Sequence, residues 1–199
     1  LQFLPAAAGV PVRGGARAAA AMHHALNLGT LALVAGLWSP SAALRAVGAT
    51  MLGLAFAGLG LATLPGLLAR CRRGLLPAGL SLAVVAGLAT AALGVLLVAG
   101  MGGALALPLP RWTDLHAATG VVGWMLVLLV TVARVVMPMF QGTPEAPARA
   151  QGAWLLGVAI GLPLAGAAWV AAGQGTPLRG LVAAALLSVA AAGLWLQAR

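Results

Sequence analysis

Long apolar runs, separated by short segments rich in proline, glycine and arginine, are the main pattern of this chain. A helix needs roughly 20 predominantly apolar residues to cross the hydrocarbon core of a bilayer. Because lipid offers the backbone no hydrogen-bonding partner, each run is expected to satisfy its own N–H and C=O groups as an α-helix. The pattern predicts an all-α polytopic bundle, a single transmembrane domain over residues 1–199, with spans near residues 17–38, 43–69, 77–101, 113–140, 153–172 and 180–197.

The first residues differ from these spans. Residues 1–10 are mostly apolar, and the chain starts with Leu1 rather than methionine. They lack the basic segment and the small-residue cleavage site of a secretory signal peptide. We interpret residues 1–16 as the tail of a preceding helix with its loop, and we expect the chain to be part of a larger protein.

Composition agrees with a membrane environment. Hydrophobic residues make up 62% of the chain and charged residues 7%, against about 25% charged residues in an ordinary soluble domain. All basic residues are arginines, scattered over the connecting segments without an aromatic patch. This pattern favours the lipid bilayer over nucleic acid as a partner. Abundant alanine, glycine and arginine, with no lysine or tyrosine, suggest a bacterial protein of the inner (plasma) membrane.

The arginines also predict an orientation, since cytoplasmic loops carry the excess of basic residues. Alternating spans place the loops on two sides, and the side richer in arginine is expected to be cytoplasmic. Both ends of the chain would then face the cytoplasm. The richer side holds Arg13, Arg17, Arg70, Arg72, Arg73, Arg149 and Arg199, and the other side holds Arg45, Arg111 and Arg179.

Few groups could carry enzymatic chemistry. The two acids, Asp114 and Glu145, lie near loops and form no carboxylate pair in sequence. Cys71 is the only cysteine, which excludes an internal disulfide and a cysteine-based metal cluster. The chain has no GxxxxGK[ST], HExxH or GxSxG motif. A catalytic role is therefore the least supported interpretation.

The first span carries polar side chains in otherwise apolar surroundings. Met22-His23-His24-Ala25-Leu26-Asn27 lies in its first turns. At about 100° per residue, His23, Asn27 and Thr30 fall on one face of a helix, and His24 points about 100° away from His23. Neutral imidazole is a common metal ligand. His23 and His24 are therefore candidate metal ligands, and Asn27 is a candidate hydrogen-bonding residue for a bound cofactor.

The fourth span carries a second polar stripe. Thr113-Asp114 is expected to begin it, because either side chain can cap free backbone N–H groups. The glycines of the stripe leave a groove beside His116 that a planar ligand or a close helix could fill. Histidine ligates haem iron and copper, so His116 is a candidate ligand. On a helical projection, the side chains of this stripe point within about 60° of one direction, and they belong to His116, Gly120, Gly123, Thr131 and Arg134.

These candidates also have structural interpretations. A histidine near the end of a span can reach the interface or bond a neighbouring helix. Arg134 can extend to cytoplasmic headgroups or balance a haem propionate. Met137 and Met139 could bind haem or copper through sulfur, but interfacial packing is the favoured interpretation. Because the spans alternate in direction, His23 and His116 are expected in opposite leaflets and would not share one metal.

Two segments carry a resemblance to a known family. One comprises Leu115-His116-Ala117, Gly120, Gly123, Met125, Arg134 and Gly142-Thr143-Pro144, and the other is Met22–Gly29. Both resemble the NnrS family, multi-span bacterial membrane proteins associated with haem, copper and nitrosative stress. The second is also similar to histidine-bearing helices of relatives of haem–copper oxidase subunit I. Phe140-Gln141 stands where the NnrS pattern has a histidine before Gly-Thr-Pro.

The resemblance and the histidines together predict an integral membrane protein that binds haem or copper in a respiratory or nitric-oxide-related setting. Its partners would be the bilayer and further helices of the same protein or of a respiratory protein. The alternative is a permease or a membrane scaffold without a redox centre. Gly157 and Gly161 form a GxxxG pair, which predicts close helix packing, and Pro163 is expected to kink the fifth span. Both features fit this alternative.

Overall fold

A computed structural model describes residues 5, 9–171 and 177–197. Six helices have the length and apolar composition to cross a membrane. No strand occurs within the described ranges, and the prediction of an all-α transmembrane bundle is confirmed. The helices are α1 (Gly15–Trp38), α2 (Ala42–Leu68), α3 (Leu75–Met101), α4 (Leu109–Gln141), α5 (Ala148–Ala171) and α6 (Pro177–Gln197).

Short connections place consecutive helices side by side in opposite directions. A single 3₁₀ turn, Cys71–Arg73, lies between α2 and α3. Helix α3 lies at the centre, in contact with α2, α4 and α5, whereas α1 packs chiefly on α2. The largest buried cluster joins α3, α4 and α5, with partly buried side chains of α6 packed against it, and comprises Ala83, Val122, Leu126, Val127, Val130, Trp154, Leu155, Val158 and Leu162.

Helix α4 begins earlier than the sequence indicated. It starts at Leu109, with Pro108 at the N-cap position and a proline in the first turn. Proline suits the first turn of a helix because its fixed φ matches the helix and its missing N–H would have had no intrahelical partner. Thr113 and Asp114 therefore lie inside α4, and the prediction that one of them caps it was wrong.

A π-helical segment, Thr119–Leu126, interrupts the α-geometry of α4. Its backbone hydrogen bonds follow an i→i+5 pattern, and such segments are rare and frequently occur at functional sites. The segment changes the angular relation between side chains before and after it. A projection at a constant 100° per residue therefore does not describe the whole of α4.

Glycines bring α1 and α2 into close contact. Gly29 and Gly36 of α1 and Gly48 of α2 are buried where the helices meet. A Cβ at Gly48 would lie 2.5 Å from the backbone nitrogen of Leu33. Such close approach lets dispersion forces hold the helices together in lipid.

The predicted GxxxG contact has no counterpart among the residues that the structure describes. A Cβ added at Gly157 or Gly161 meets no described atom within 4 Å. Both glycines lie on an exposed face of α5. Helix packing within the chain therefore uses other glycines than the motif indicated.

Part of the predicted N-terminal tail packs against the bundle. Val10 is buried in a cluster with Leu67 and Leu80. The backbone N–H of Arg13 donates to the carbonyl of Ala62 at 3.0 Å. Residues 1–4 and 6–8, where the tail of a preceding helix was predicted, lie outside the described residues.

Candidate functional site

A cavity of about 540 Å³ lies between α1, α2, α3 and α4. Its volume falls in the range of small-molecule sites, roughly 300–1,000 Å³. The lining is mainly aliphatic, with the imidazole of His116 and the indole of Trp124 among the few groups of other chemistry. The ring of Trp124 packs edge-on against Phe56, with centroids 4.9 Å apart. An apolar cavity with few polar groups suits a hydrophobic ligand that is oriented by one specific contact.

His116 is held by a hydrogen bond to α3. Its Nδ1 lies 3.0 Å from the carbonyl oxygen of Thr90. Because a carbonyl can only accept, Nδ1 carries the proton, and in a neutral imidazole Nε2 then carries the lone pair. Nε2 makes no hydrogen bond to any part of the chain that the structure describes. The side chain is thus oriented through one nitrogen and available to a ligand through the other.

Gly94 makes room for this ring. A Cβ at Gly94 would lie 3.2 Å from Cε1 of His116, closer than most real Cβ contacts. The missing side chain of Gly94 on α3 therefore leaves the space that the ring of His116 on α4 occupies.

The remaining glycines of the predicted stripe on α4 are covered by neighbouring helices. A Cβ at Gly120 would lie 3.1 Å from Thr90, and one at Gly123 would lie 2.7 Å from Leu162 of α5. The side chain of Thr131 occupies the space that a Cβ at Gly79 of α3 would need. Of the two alternatives for the groove, the structure shows close helices at these glycines, and cavities remain beside His116 and on the α5 side of Thr119 and Gly123.

The other two histidines lie far from this cavity. His23 and His24 are exposed on α1, with ring centroids 5.8 Å apart. Asn27 Nδ2 lies 3.0 Å from both the Nε2 and the backbone oxygen of His23. Helix α1 reaches the His116 cavity through Leu33 and Leu37, and ten residues separate His23 from Leu33, roughly 15 Å along an α-helix. The structure therefore separates His23, His24 and Asn27 from His116.

Arg134 lies near the other end of α4 in a network of its own. Its Nη2 donates to Oε2 of Glu145 at 2.8 Å, and its Nη1 donates to Oε1 of Gln151 at 3.1 Å. Nη1 also donates to the carbonyl of Ala146. The buried Gln151 donates from Nε2 to the carbonyl of Val130 at 3.4 Å. This network joins the end of α4 to the following loop and to α5.

Arg134 is therefore not brought to the histidine cavity. Eighteen residues of α4 separate it from His116, roughly 25 Å along the helix. Near it, Met137 lines a small cavity of about 130 Å³, and Met139 is exposed. Neither methionine lines the cavity of His116.

Two residues that the sequence pattern did not single out lie closer to His116. Met101, the last residue of α3, lines the same cavity. Arg45 of α2 lines an adjoining cavity of about 300 Å³, which shares Ala49, Val95 and Val98 with the first. The Nη1 of Arg45 donates to the carbonyl of Gly36 at 3.2 Å. No local pattern marks these residues, because helix packing alone brings them near His116.

Within the described ranges, no group of three or more His, Cys, Asp or Glu side chains could hold a metal ion. No protein-family model matches the chain, and comparison with characterised proteins and with solved structures finds no match. The resemblance to the NnrS family stays a prediction. The six apolar helices define a multi-pass integral membrane protein.

Proposed function

We propose that this membrane protein binds haem in the cavity between α1, α2, α3 and α4, where His116 would hold the haem iron. The observation that carries the proposal is the hydrogen bond from His116 Nδ1 to the carbonyl of Thr90. Histidines that ligate metals usually donate their second ring N–H to a carbonyl, carboxylate or water, which fixes the tautomer and the ring orientation.

The surroundings of His116 fit a large apolar cofactor. The cavity of about 540 Å³ has a mainly aliphatic lining. Haem iron accepts one histidine, or a histidine with a methionine, and the thioether of Met101 is the second candidate ligand on the cavity wall. Arg45, in the adjoining cavity, replaces Arg134 as the candidate cation for a haem propionate. Bound haem would supply one-electron or diatomic-gas chemistry, for which the resemblance suggests a respiratory or nitric-oxide-related setting.

Copper fits the described residues less well than haem. A copper site needs several nitrogen or sulfur ligands, and His116 is the only imidazole that lines this cavity. His23 and His24 adjoin each other on α1 without a third candidate ligand among the described His, Cys, Asp and Glu side chains.

The test is the optical spectrum of the purified protein, oxidised and reduced, from cells supplied with a haem precursor, together with iron and copper counts by mass spectrometry. We expect a Soret band that is lost in His116→Gly and recovers when imidazole is added. His24→Ala is the matched control and should leave the band unchanged. A colourless protein without iron would overturn haem binding, and a band that survives His116→Gly without change would overturn the ligand assignment.

A permease without a redox centre is the second candidate, and one observation favours it. Another cavity, of about 490 Å³, lies on the α5 side of α4 and includes Thr119 and Gly123 of the π segment. The His116 cavity reaches the same segment at Trp124. Two cavities that meet at a π segment resemble a path that a helix adjustment could open. Uptake of small apolar solutes by proteoliposomes, lost when Gly123→Leu fills the segment, would support this function in a colourless protein.

A further inference from the structure

Helix α1 carries a second packing face, opposite the one that contacts α2. Gly29 and Gly36 are buried against α2. Residues on the far side recur at alternating steps of four and three, the spacing of a coiled-coil seam. We name this face the outer seam, which comprises Ala20, His24, Asn27, Leu31, Val34 and Trp38.

Every residue of the outer seam is exposed. Leu31 is 67% exposed and Trp38 is 88% exposed. Apolar side chains can face lipid without cost, but Asn27 lies near the middle of α1, roughly 18 Å from Gly15 along the helix. Its Oδ1 accepts no hydrogen bond from the described part of the chain. Polar groups in the middle of a span are costly and usually face other helices.

We propose that the outer seam binds the same seam of a second copy, so that the protein is a homodimer joined along α1. All copies insert with the same orientation, so two α1 helices related by an axis along the membrane normal run parallel. In a parallel pair of this symmetry each seam position meets its equivalent. Asn27 then faces Asn27 of the second copy.

The outer seam of one copy is complementary in its hydrogen-bonding groups to the outer seam of another. Both N–H groups of the Asn27 amide already point to His23 of the same helix, and its Oδ1 can only accept, so the unused Oδ1 finds a donor in the imidazole of His24 of the second copy. A different helix would need its own polar group at the same depth, whereas a second copy supplies one by symmetry. A single Asn in such a seam also specifies register and oligomeric state. The proposal does not depend on the His116 cavity or on haem.

Disulfide crosslinking of the full chain in proteoliposomes tests the seam. In a Cys71→Ser background, Val34→Cys lies in the seam and Leu28→Cys lies to its side, and the native residues are similarly exposed, at 53% and 54%. We expect rapid formation of a crosslinked dimer from Val34→Cys and little from Leu28→Cys. Equal rates at the two positions, or no dimer from Val34→Cys, would overturn the proposal.

Energy transfer between labelled copies, measured over a range of lipid-to-protein ratios, tests the role of Asn27. Asn27→Leu should raise the dissociation constant of the dimer roughly threefold to twentyfold, from the strength of interhelical hydrogen bonds in membranes. The control Leu28→Ala should leave the constant unchanged. A protein that remains monomeric at all ratios, or an Asn27→Leu variant that associates as well as the native chain, would refute the self-association.

Discussion

A single methyl group at Gly48 tests how closely α1 and α2 approach. In Gly48→Ala, the added Cβ would lie 2.5 Å from the nitrogen and 2.7 Å from the Cα of Leu33, and 2.8 Å from the carbonyl oxygen of Gly29. All three atoms belong to the backbone of α1. No side-chain rotation can relieve the overlap, so α1 must move away from α2.

The magnitude follows from two opposing effects. Overpacking a close contact costs roughly 1–3 kcal/mol, whereas alanine stabilises a helix interior by about 1 kcal/mol or less relative to glycine. The energetic cost of the overlap exceeds the gain from the higher helix propensity of alanine. The free energy of unfolding of Gly48→Ala should therefore be roughly 1–2 kcal/mol lower than that of the native chain. Gly161→Ala is the matched control, because its Cβ meets no described atom within 4 Å. It should be neutral or slightly stabilising.

The assay is unfolding of each variant in mixed micelles as the mole fraction of SDS rises, followed by tryptophan fluorescence. Cysteine accessibility at a residue of α1, in a Cys71→Ser background, would report separation of α1 from α2. The reasoning would be refuted if Gly161→Ala lost as much stability as Gly48→Ala. The GxxxG motif would then predict the packing better than the structure does.

Three further predictions use the same unfolding assay. Glu145→Gln should lower the free energy of unfolding by less than about 1 kcal/mol, because an exposed ion pair contributes little. Gln151→Leu should lower it by roughly 1–3 kcal/mol, because this change removes a buried partner of Arg134. Equal losses for the two variants would contradict this order. Trp154→Phe should cost about 1 kcal/mol or more, since its indole N–H donates to the carbonyl of Val189 at 2.7 Å, and an unchanged midpoint would argue against that bond. Thr131→Val should be neutral or stabilising, because the buried Thr131 hydroxyl has no partner among the residues described; a clear loss would reveal a partner for it.

The sequence was sufficient to predict the spans because the length and apolarity of a run decide whether it can cross a bilayer. The separation of His23 from His116 also followed from sequence, since alternation of spans fixes the end of the bundle at which each histidine lies. The hydrogen bond between His23 and Asn27 agrees with their i, i+4 spacing.

Contacts between distant segments could not be predicted in this way. Gly48 and Gly161 are the same residue type in similar runs, yet within the described ranges Gly48 meets another helix and Gly161 does not. Gln151 lies at the end of a polar loop in sequence, and only the folded chain buries it beside Arg134. The stripe on α4 does face one neighbour, because His116, Gly120, Gly123 and Thr131 all meet α3, but the sequence did not show which helix would fill the space beside the glycines.

The π segment has a consequence for how this chain can change in evolution. A π segment winds more slowly than an α-helix, at roughly 80° per residue instead of 100°, so residues 119–126 turn the chain about as far as an α-helix one residue shorter would. Loss of one residue within 119–126 would therefore restore an i→i+4 ladder and keep His116 on nearly the same side of α4, facing Thr90 and Gly94. Loss of one residue in the α-helical part of α4, between Val127 and Arg134, would instead turn His116 by about 100° relative to Arg134. Homologues that differ by one residue within the π segment should therefore keep the same cavity, whereas those that differ by one residue in the α-helical part should not.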